Sequence, residues 1–135
     1  MDGAGARYAK NAGAVFSLKY HVVWCPKYRR PVLTNPVDAR LRALILEVAA
    51  RREMTVHALQ VMPDHVHLFV ETDPRWAPAE VVGKFKAVSS RILREEFPRL
   101  RSRLPTLWSR SYFIATVGTV SEATIRRYIE AQRGR

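Results

Sequence analysis

Residues 55–72, TVHALQVMPDHVHLFVET, hold the pattern that decides the fold. Two runs rich in β-branched and apolar residues, 55–62 and 65–72, are separated only by Pro63 and Asp64. Proline followed by aspartate is typical of a turn, and so short a connection joins antiparallel neighbours. We therefore expect a β-hairpin in the middle of the chain.

The segments on either side of this hairpin predict the remaining elements. Alternating apolar and polar residues at 15–24 predict a strand, and an apolar stripe at helical spacing predicts a helix over 35–52. A second stripe predicts a helix that ends before Pro98, residues 107–117 predict a strand, and Ser121 can cap a last helix. This order indicates an α+β, ferredoxin-like split βαβ fold, an antiparallel sheet with two helices on one face plus a C-terminal helix.

The length of 135 residues fits a single domain, which we place at residues 14–135. Residues 1–13 are rich in glycine and alanine and predict a flexible basic segment, and residues 98–106 predict a basic, proline-bounded connector. We see neither a signal peptide nor an apolar run near the roughly 18 residues that cross a bilayer. Because Cys25 has no second cysteine to pair with, we expect a cytoplasmic protein.

The charge of the chain points to a polyanionic partner. Lys and Arg number 23 against 12 Asp and Glu, a net charge of +11 that is spread along the sequence. Neutralising phosphates is the most direct use of such an excess, so nucleic-acid binding is favoured. An ordinary basic soluble protein is the alternative.

His65 and His67 are the first candidate site. Two residues apart in a strand, they leave the same face of the sheet, about 7 Å apart along the chain. Val66 and its alternate neighbours then pack under the helices, which leaves the histidines on the open face. Two imidazoles with an oxygen donor favour Mg²⁺ or Mn²⁺ over a closed zinc site. A pair that only hydrogen-bonds locally is the alternative, and we assign the adjacent Asp64 to the turn.

Tyr128 and Gln132 are the second candidate site. Four residues apart, they are neighbours one turn apart on a helix, so a phenol and an amide reach one place together. With Ile125 and Ile129 they also match the spacing of a core stripe, which is the structural alternative. The amide at the end of that stripe favours a functional site, because a buried amide needs polar partners.

Three motifs occur in order along the chain: YHVVWCPKYR at 20–29, VMPDHVHLFV at 61–70 and RRYIEAQ at 126–132. Together they resemble the single-tyrosine HUH transposases of the TnpA type, from insertion sequences that move as single-stranded DNA. The match spans about residues 15–132. The resemblance implies that His65 and His67 are the two histidines of the HUH motif and bind a divalent metal, Mg²⁺ or Mn²⁺. It further implies that Gln132 is the third metal ligand and Tyr128 the nucleophile.

The resemblance also implies an activity and partners. The enzyme would be a metal-dependent endonuclease and strand transferase that cuts and rejoins element ends through a 5′-phosphotyrosine. Its partners would be single-stranded DNA with hairpins and a second copy of the chain, a homodimer in which the tyrosine helix acts in trans, with Gly118 at the hinge. The candidates for holding the DNA backbone are Lys27, Arg29, Arg30, Lys84 and Arg91.

Two other functions fit the same sequence. One is a domesticated HUH nuclease that acts on repeated hairpins. The other is a non-catalytic RNA-recognition-like module, whose sheet would carry stacking aromatics where this chain has His65 and His67.

Overall fold

The computed structural model describes residues 9–11, 14–16, 18–117 and 121–132. Six strands are present in this part of the chain: β1 (Ala9–Asn11), β2 (Ala14–Phe16), β3 (Leu18–Trp24), β4 (Thr55–Met62), β5 (His65–Thr72) and β6 (Phe113–Thr116). The four α-helices described there are α1 (Val37–Arg51), α2 (Pro78–Glu96), α3 (Pro98–Arg103) and α4 (Glu122–Ala131).

The main sheet has the strand order β4-β5-β3-β6. Every neighbouring pair is antiparallel, and β3, the first of the four along the chain, lies between β5 and β6. This order, with α1 between β3 and β4 and α2 between β5 and β6, is the predicted ferredoxin-like split βαβ fold. The predicted hairpin is confirmed, with its strands at Thr55–Met62 and His65–Thr72.

The core lies between one face of the sheet and helices α1 and α2. In β5 every second residue is buried, so Val66, Leu68 and Val70 are fully buried on the helix side. The two helices contribute their apolar stripes, which include Leu41, Leu44, Ile45, Val81, Phe85 and Leu93. The other residues of β5 therefore lie on the opposite, open face.

Three segments differ from the sequence-based expectations. Ala9–Asn11 lies in the segment 1–13 predicted to be flexible, yet it forms a strand paired with Ala14–Phe16, because main-chain pairing needs no large side chains. Residues 1–8 and 12–13 lie outside the described residues. The connector at 98–106 begins with the short helix Pro98–Arg103, since proline suits the first turn of a helix.

The last strand is also shorter than predicted. It occupies Phe113–Thr116 only, within the predicted range 107–117. The ammonium group of Lys86 accounts for part of this difference, because it binds the backbone carbonyls of Ser109, Arg110 and Ser111. A segment whose successive carbonyls all turn to one cation does not have the alternating geometry of a strand.

The last helix starts as expected. Ser121 is its N-cap, and the Ser121 hydroxyl accepts a hydrogen bond from the Thr124 amide. Gly118, the predicted hinge, lies outside the described residues. Among the helices of the described residues, none combines the length and apolar character needed to cross a membrane.

Candidate active site

The histidine pair lies on the open face of the sheet. His65 and His67 are half-buried, whereas Val66 between them is fully buried in the core. Their strand β5 is paired with β4 at both histidines, and with β3 at His67 and Val66. The two side chains therefore have a rigid base and an accessible face.

Asp64 determines which nitrogen of His65 is available. Asp64 Oδ1 lies 2.9 Å from His65 Nδ1. Burial raises the pKa of the Asp64 carboxyl, but hydrogen bonds from His65 and Arg29 outweigh it and keep this pKa below its ordinary value. The carboxylate can only accept, so His65 Nδ1 carries a proton, and in the neutral imidazole Nε2 is then the nitrogen with the lone pair. This is how carboxylates orient metal-binding histidines, so Asp64 has a role beyond the predicted turn.

His67 is paired with a histidine that the sequence reading did not select. His67 Nε2 lies 3.4 Å from Nδ1 of His21 on β3, and Phe69 stacks on the His21 ring with their centroids 5.0 Å apart. Burial lowers the pKa of His67, and the nearby His21 and His65 lower it further. His67 is therefore biased toward the neutral imidazole, the form that binds metals.

The residues present fit an open metal site, though not a closed one. Within the described residues, no group of three or more His, Cys, Asp or Glu side chains is placed to hold an ion. Two imidazoles could hold a divalent ion whose other positions are filled by an amide, water or phosphate oxygen. His65 and His67 are the residues that would hold it.

Tyr128 and Gln132 share a polar site beside β6. The Gln132 side chain is 3 % exposed, and its Oε1 accepts hydrogen bonds from Ser109 Oγ at 2.8 Å and from Ser111 Oγ at 3.0 Å. The Tyr128 hydroxyl lies 3.4 Å from the same Ser111 hydroxyl, and its ring centroid is 6.1 Å from that of Phe113. The predicted phenol and amide thus both lie at the Ser111 hydroxyl.

Sequence reasoning missed these two serines. The signal in the sequence was a pair of hydroxyl residues, Ser109 and Ser111, two positions apart within the predicted strand 107–117. The segment is anchored, because Ser109 N donates to Cys25 O at 2.9 Å and Lys86 Nζ donates to Ser109 O at 2.7 Å. Burial lowers the pKa of Lys86 to about 8.

Arg29 lies between the histidine and tyrosine sides. Its Nε donates to Asp64 Oδ2 at 2.5 Å, and its Nη1 lies 3.5 Å from Glu130 Oε1 on α4. The Arg29 side chain is 15 % exposed, so this predicted DNA-binding residue faces acidic groups of its own chain.

The other basic candidates occupy two places. Lys27 and Arg30 flank the turn after β3, where the Lys27 ammonium lies 5.4 Å from the centroid of the Tyr28 ring, which is 44 % exposed. Lys84 and Arg91 lie on α2, Lys84 half-buried and Arg91 exposed. A role of these side chains in DNA binding stays a prediction.

Comparison with known proteins identifies relatives over nearly the whole chain. The family model described as "Transposase IS200 like" matches residues 14–132. The ISDra2 transposase TnpA of Deinococcus radiodurans is 38% identical over 125 residues, which cover 91% of this chain and 89% of that protein. The transposase for insertion sequence element IS200 of Salmonella typhimurium is 28% identical over 119 residues, 87% of this chain and 78% of that protein.

Solved structures give the same result. The crystal structure of a candidate transposase from Deinococcus radiodurans R1 matches with a TM-score of 0.86 and 34% identity, covering 94% of this chain and 99% of that one. A REP-associated tyrosine transposase bound to a REP hairpin matches with a TM-score of 0.56 and 15% identity, over 96% of this chain and 69% of that one, which shows a shared fold. The chain therefore belongs to the IS200-like transposase family.

Proposed function

We propose that this transposase is a metal-dependent single-stranded DNA endonuclease and strand transferase that uses Tyr128 as its nucleophile. One observation supports it above the others: His65 on the open sheet face is connected, through Asp64 and Arg29, to the helix that carries Tyr128 and Gln132. His65 and His67 would hold the metal, Mg²⁺ or Mn²⁺. The ion would supply positive charge against the scissile phosphate.

The bonds that form and break in the chemical step belong to the phenol and the DNA. The Tyr128 oxygen attacks the phosphorus, the bond from phosphorus to the 3′ oxygen breaks, and the proton lost by the phenol is balanced by the one that the 3′ oxygen gains. The products are a 5′-phosphotyrosine and a free 3′-OH. Because the phosphodiester bond energy is retained in the adduct, the 3′-OH of a second strand can reverse the step without ATP.

Gln132 would act as the third ligand in a different position of α4. Its amide oxygen accepts two serine hydrogen bonds in the described arrangement, and a carbonyl oxygen has two lone pairs. Ligation would therefore require α4 to leave Ser109 and Ser111. We propose that α4 is exchanged between two copies of the chain, so that Tyr128 acts in trans.

The proposed substrate is single-stranded DNA with hairpins at the element ends. The net charge of +11 supports a polyanion, and a protein of the same fold has been solved with a bound hairpin. The basic residues around Lys27 and Arg30, together with Lys84 and Arg91 on α2, are proposed to contact the DNA backbone.

The decisive experiment detects the covalent adduct. The full chain is incubated with a labelled, hairpin-bearing single-stranded oligonucleotide and Mn²⁺, then resolved on a denaturing gel. We expect a shifted band that EDTA and Tyr128→Phe both abolish, and that a double-stranded substrate does not give. Tyr112→Phe, which removes a hydroxyl just before β6, is the matched control and should still form the band. An adduct that persists in Tyr128→Phe would show that the nucleophile is another residue.

A non-catalytic binding module is the second candidate, and one feature of the sheet favours it. Phe69 on the open face is flanked by His21 and His57, with ring centroids 5.0 Å and 5.1 Å away. Such a row could stack bases in the manner of RNA-binding sheets. Binding of single-stranded nucleic acid with no adduct under any metal would favour this function.

A further inference from the structure

The turn after β3 holds Arg29 in an unusual backbone conformation. Tyr28 and Arg29 have φ angles of 59° and 52°, a left-handed backbone conformation that residues other than glycine rarely adopt. Three backbone hydrogen bonds hold the turn: from Lys27 N to Leu107 O and from Arg29 N to Pro26 O, each 2.8 Å long, and from Arg30 N to Lys27 O at 3.3 Å. Strained backbone of this kind persists only where the surroundings impose it, and it often marks functional sites.

This turn places the guanidinium group of Arg29 inside the molecule. Arg29 is 15 % exposed at its side chain, and its Nε binds Asp64 Oδ2. Its Nη1 is fully buried and, over the described residues, has no hydrogen-bond partner; it has only the longer ion pair of 3.5 Å with Glu130 Oε1. A buried cation with incomplete hydrogen bonding is costly, so a purely structural role explains this arrangement poorly.

The two carboxylates that Arg29 faces belong to different halves of the site. Asp64 uses Oδ2 for Arg29 and Oδ1 for Nδ1 of His65. Glu130 lies on α4 between Tyr128 and Gln132. The contacts therefore run from the tyrosine helix through Arg29 and Asp64 to one imidazole of the metal-binding pair.

We propose that Arg29 is a positioning residue that couples the docking of α4 to the orientation and tautomer of His65. Arg29 holds Asp64 so that its other oxygen keeps the proton on His65 Nδ1 and leaves Nε2 for the ion. When Glu130 moves with α4, Arg29 loses one of its two acidic neighbours and its hold on Asp64 changes. The state of the tyrosine helix is thereby communicated to the metal ligand. The inference rests on the proposed function, because it takes His65 as a metal ligand.

The test measures His65 and metal binding without any DNA cleavage. Full-length protein with ¹⁵N-labelled histidine reports the His65 tautomer by NMR, and calorimetry with Mn²⁺ reports metal affinity. We expect wild-type His65 to carry its proton on Nδ1. Arg29→Gln should give a mixture of tautomers and weaken Mn²⁺ binding by about tenfold or more, the usual effect of losing a residue that orients a ligand.

Glu130→Gln tests the helix end of the same path. Its carboxylate is 56 % exposed, so the variant should fold even if Arg29→Gln does not. We expect a smaller loss of Mn²⁺ affinity, roughly threefold given the weak coupling of exposed ion pairs. In the Arg29→Lys background this loss should disappear, since lysine has no second branch to face Glu130 while it holds Asp64.

Glu122→Gln and Arg126→Gln are the matched controls. These residues form a separate exposed ion pair on α4, 3.7 Å apart, and should leave His65 and Mn²⁺ binding unchanged. If Arg29→Gln and Glu130→Gln leave the His65 tautomer and Mn²⁺ affinity at wild-type values, the proposal is overturned. If only DNA affinity falls in Arg29→Gln, Arg29 is a phosphate contact instead.

The proposed function is tested by a different measurement, the formation of the covalent adduct. If the wild type binds Mn²⁺ and shows the Arg29 effect but Tyr128 forms no adduct, the nuclease proposal fails and the coupling stands. If Mn²⁺ causes no paramagnetic broadening at His65, His65 is not a ligand and both proposals fall.

Discussion

The histidine pair and the tyrosine helix are held in place by different kinds of contact. His65 and His67 lie on β5, a strand bonded on both sides whose alternate residues Val66 and Leu68 are fully buried. By contrast, α4 has one buried residue, Ile129, within its ten residues, and Gln132 at its end is held by two serine hydroxyls. One half of the site is part of the core, and the other rests on it through a few polar contacts.

This difference indicates which half can move. Shifting β5 would break two strand ladders and expose the core, whereas moving α4 would break a few hydrogen bonds and expose little apolar surface. Local opening in proteins is easiest where apolar contacts are few. We therefore expect α4 to move while the imidazoles stay in place, and each prediction below tests this contrast.

The largest expected effect is on the core beneath the histidines. Leu68→Ala should lower the free energy of unfolding by about 3 to 5 kcal/mol, because it leaves a cavity under a central strand. Ile129→Ala on α4 should lower it by only about 1 kcal/mol, since that residue lies at the edge of the core. Urea titrations of both variants provide the check, and equal losses would remove the contrast between the two halves.

Removing a histidine should separate metal binding from folding. We expect His67→Ala to weaken Mn²⁺ binding by at least about 100-fold, because one of two imidazole ligands is lost. Its melting temperature should stay within a few degrees of wild type, since the side chain lies on the open face. Calorimetry and thermal denaturation measure the two effects. A fall in melting temperature as large as that of Leu68→Ala would make the histidine structural.

Removing the two serine hydroxyls should loosen the helix alone. In the double variant Ser109→Ala, Ser111→Ala, the Gln132 oxygen loses both of its hydrogen bonds, each worth about 1 kcal/mol. Amide exchange in α4 should then be roughly thirtyfold faster by hydrogen-exchange mass spectrometry, with β5 unchanged. Ser90→Ala on α2 is the control. Equal acceleration in β5 would mean that the helix and the sheet open as one unit.

The smallest expected effect concerns Cys25, which lies next to both halves. It is fully buried, and this burial raises the pKa of Cys25 to about 12 from 9.0. A raised pKa of an acid means that stability is lost as pH rises, because the unfolded thiol ionises first, between pH 9 and 12. Relative to Cys25→Ala, the wild type should lose roughly 1 kcal/mol by pH 10 in urea titrations.

The same thiol reports on where the protein opens. At neutral pH, Cys25 should react with iodoacetamide only as fast as the core unfolds, because a buried neutral thiol is inert. The double serine variant should not change this rate, since α4 opens without exposing Cys25. Faster alkylation in that variant would show that α4 protects the core.

Much of the fold and both halves of the candidate site could be read from local patterns. The hairpin at 55–72, the face on which His65 and His67 lie, and the helix starting after Ser121 follow from alternation, turn residues and capping, which act between near neighbours. The three motifs predicted the transposase family for the same reason, because spacing along the chain is enough to recognise them.

The partners of these residues depended on the tertiary structure. Nothing near Gln132 in sequence indicates Ser109 and Ser111 as its hydrogen-bond donors, and nothing near Asp64 indicates Arg29, which is 35 residues away. The shortening of β6 likewise follows in part from Lys86, a side chain on another element. Periodicity decides which way a side chain points, but only the folding of distant segments against each other decides what it meets there.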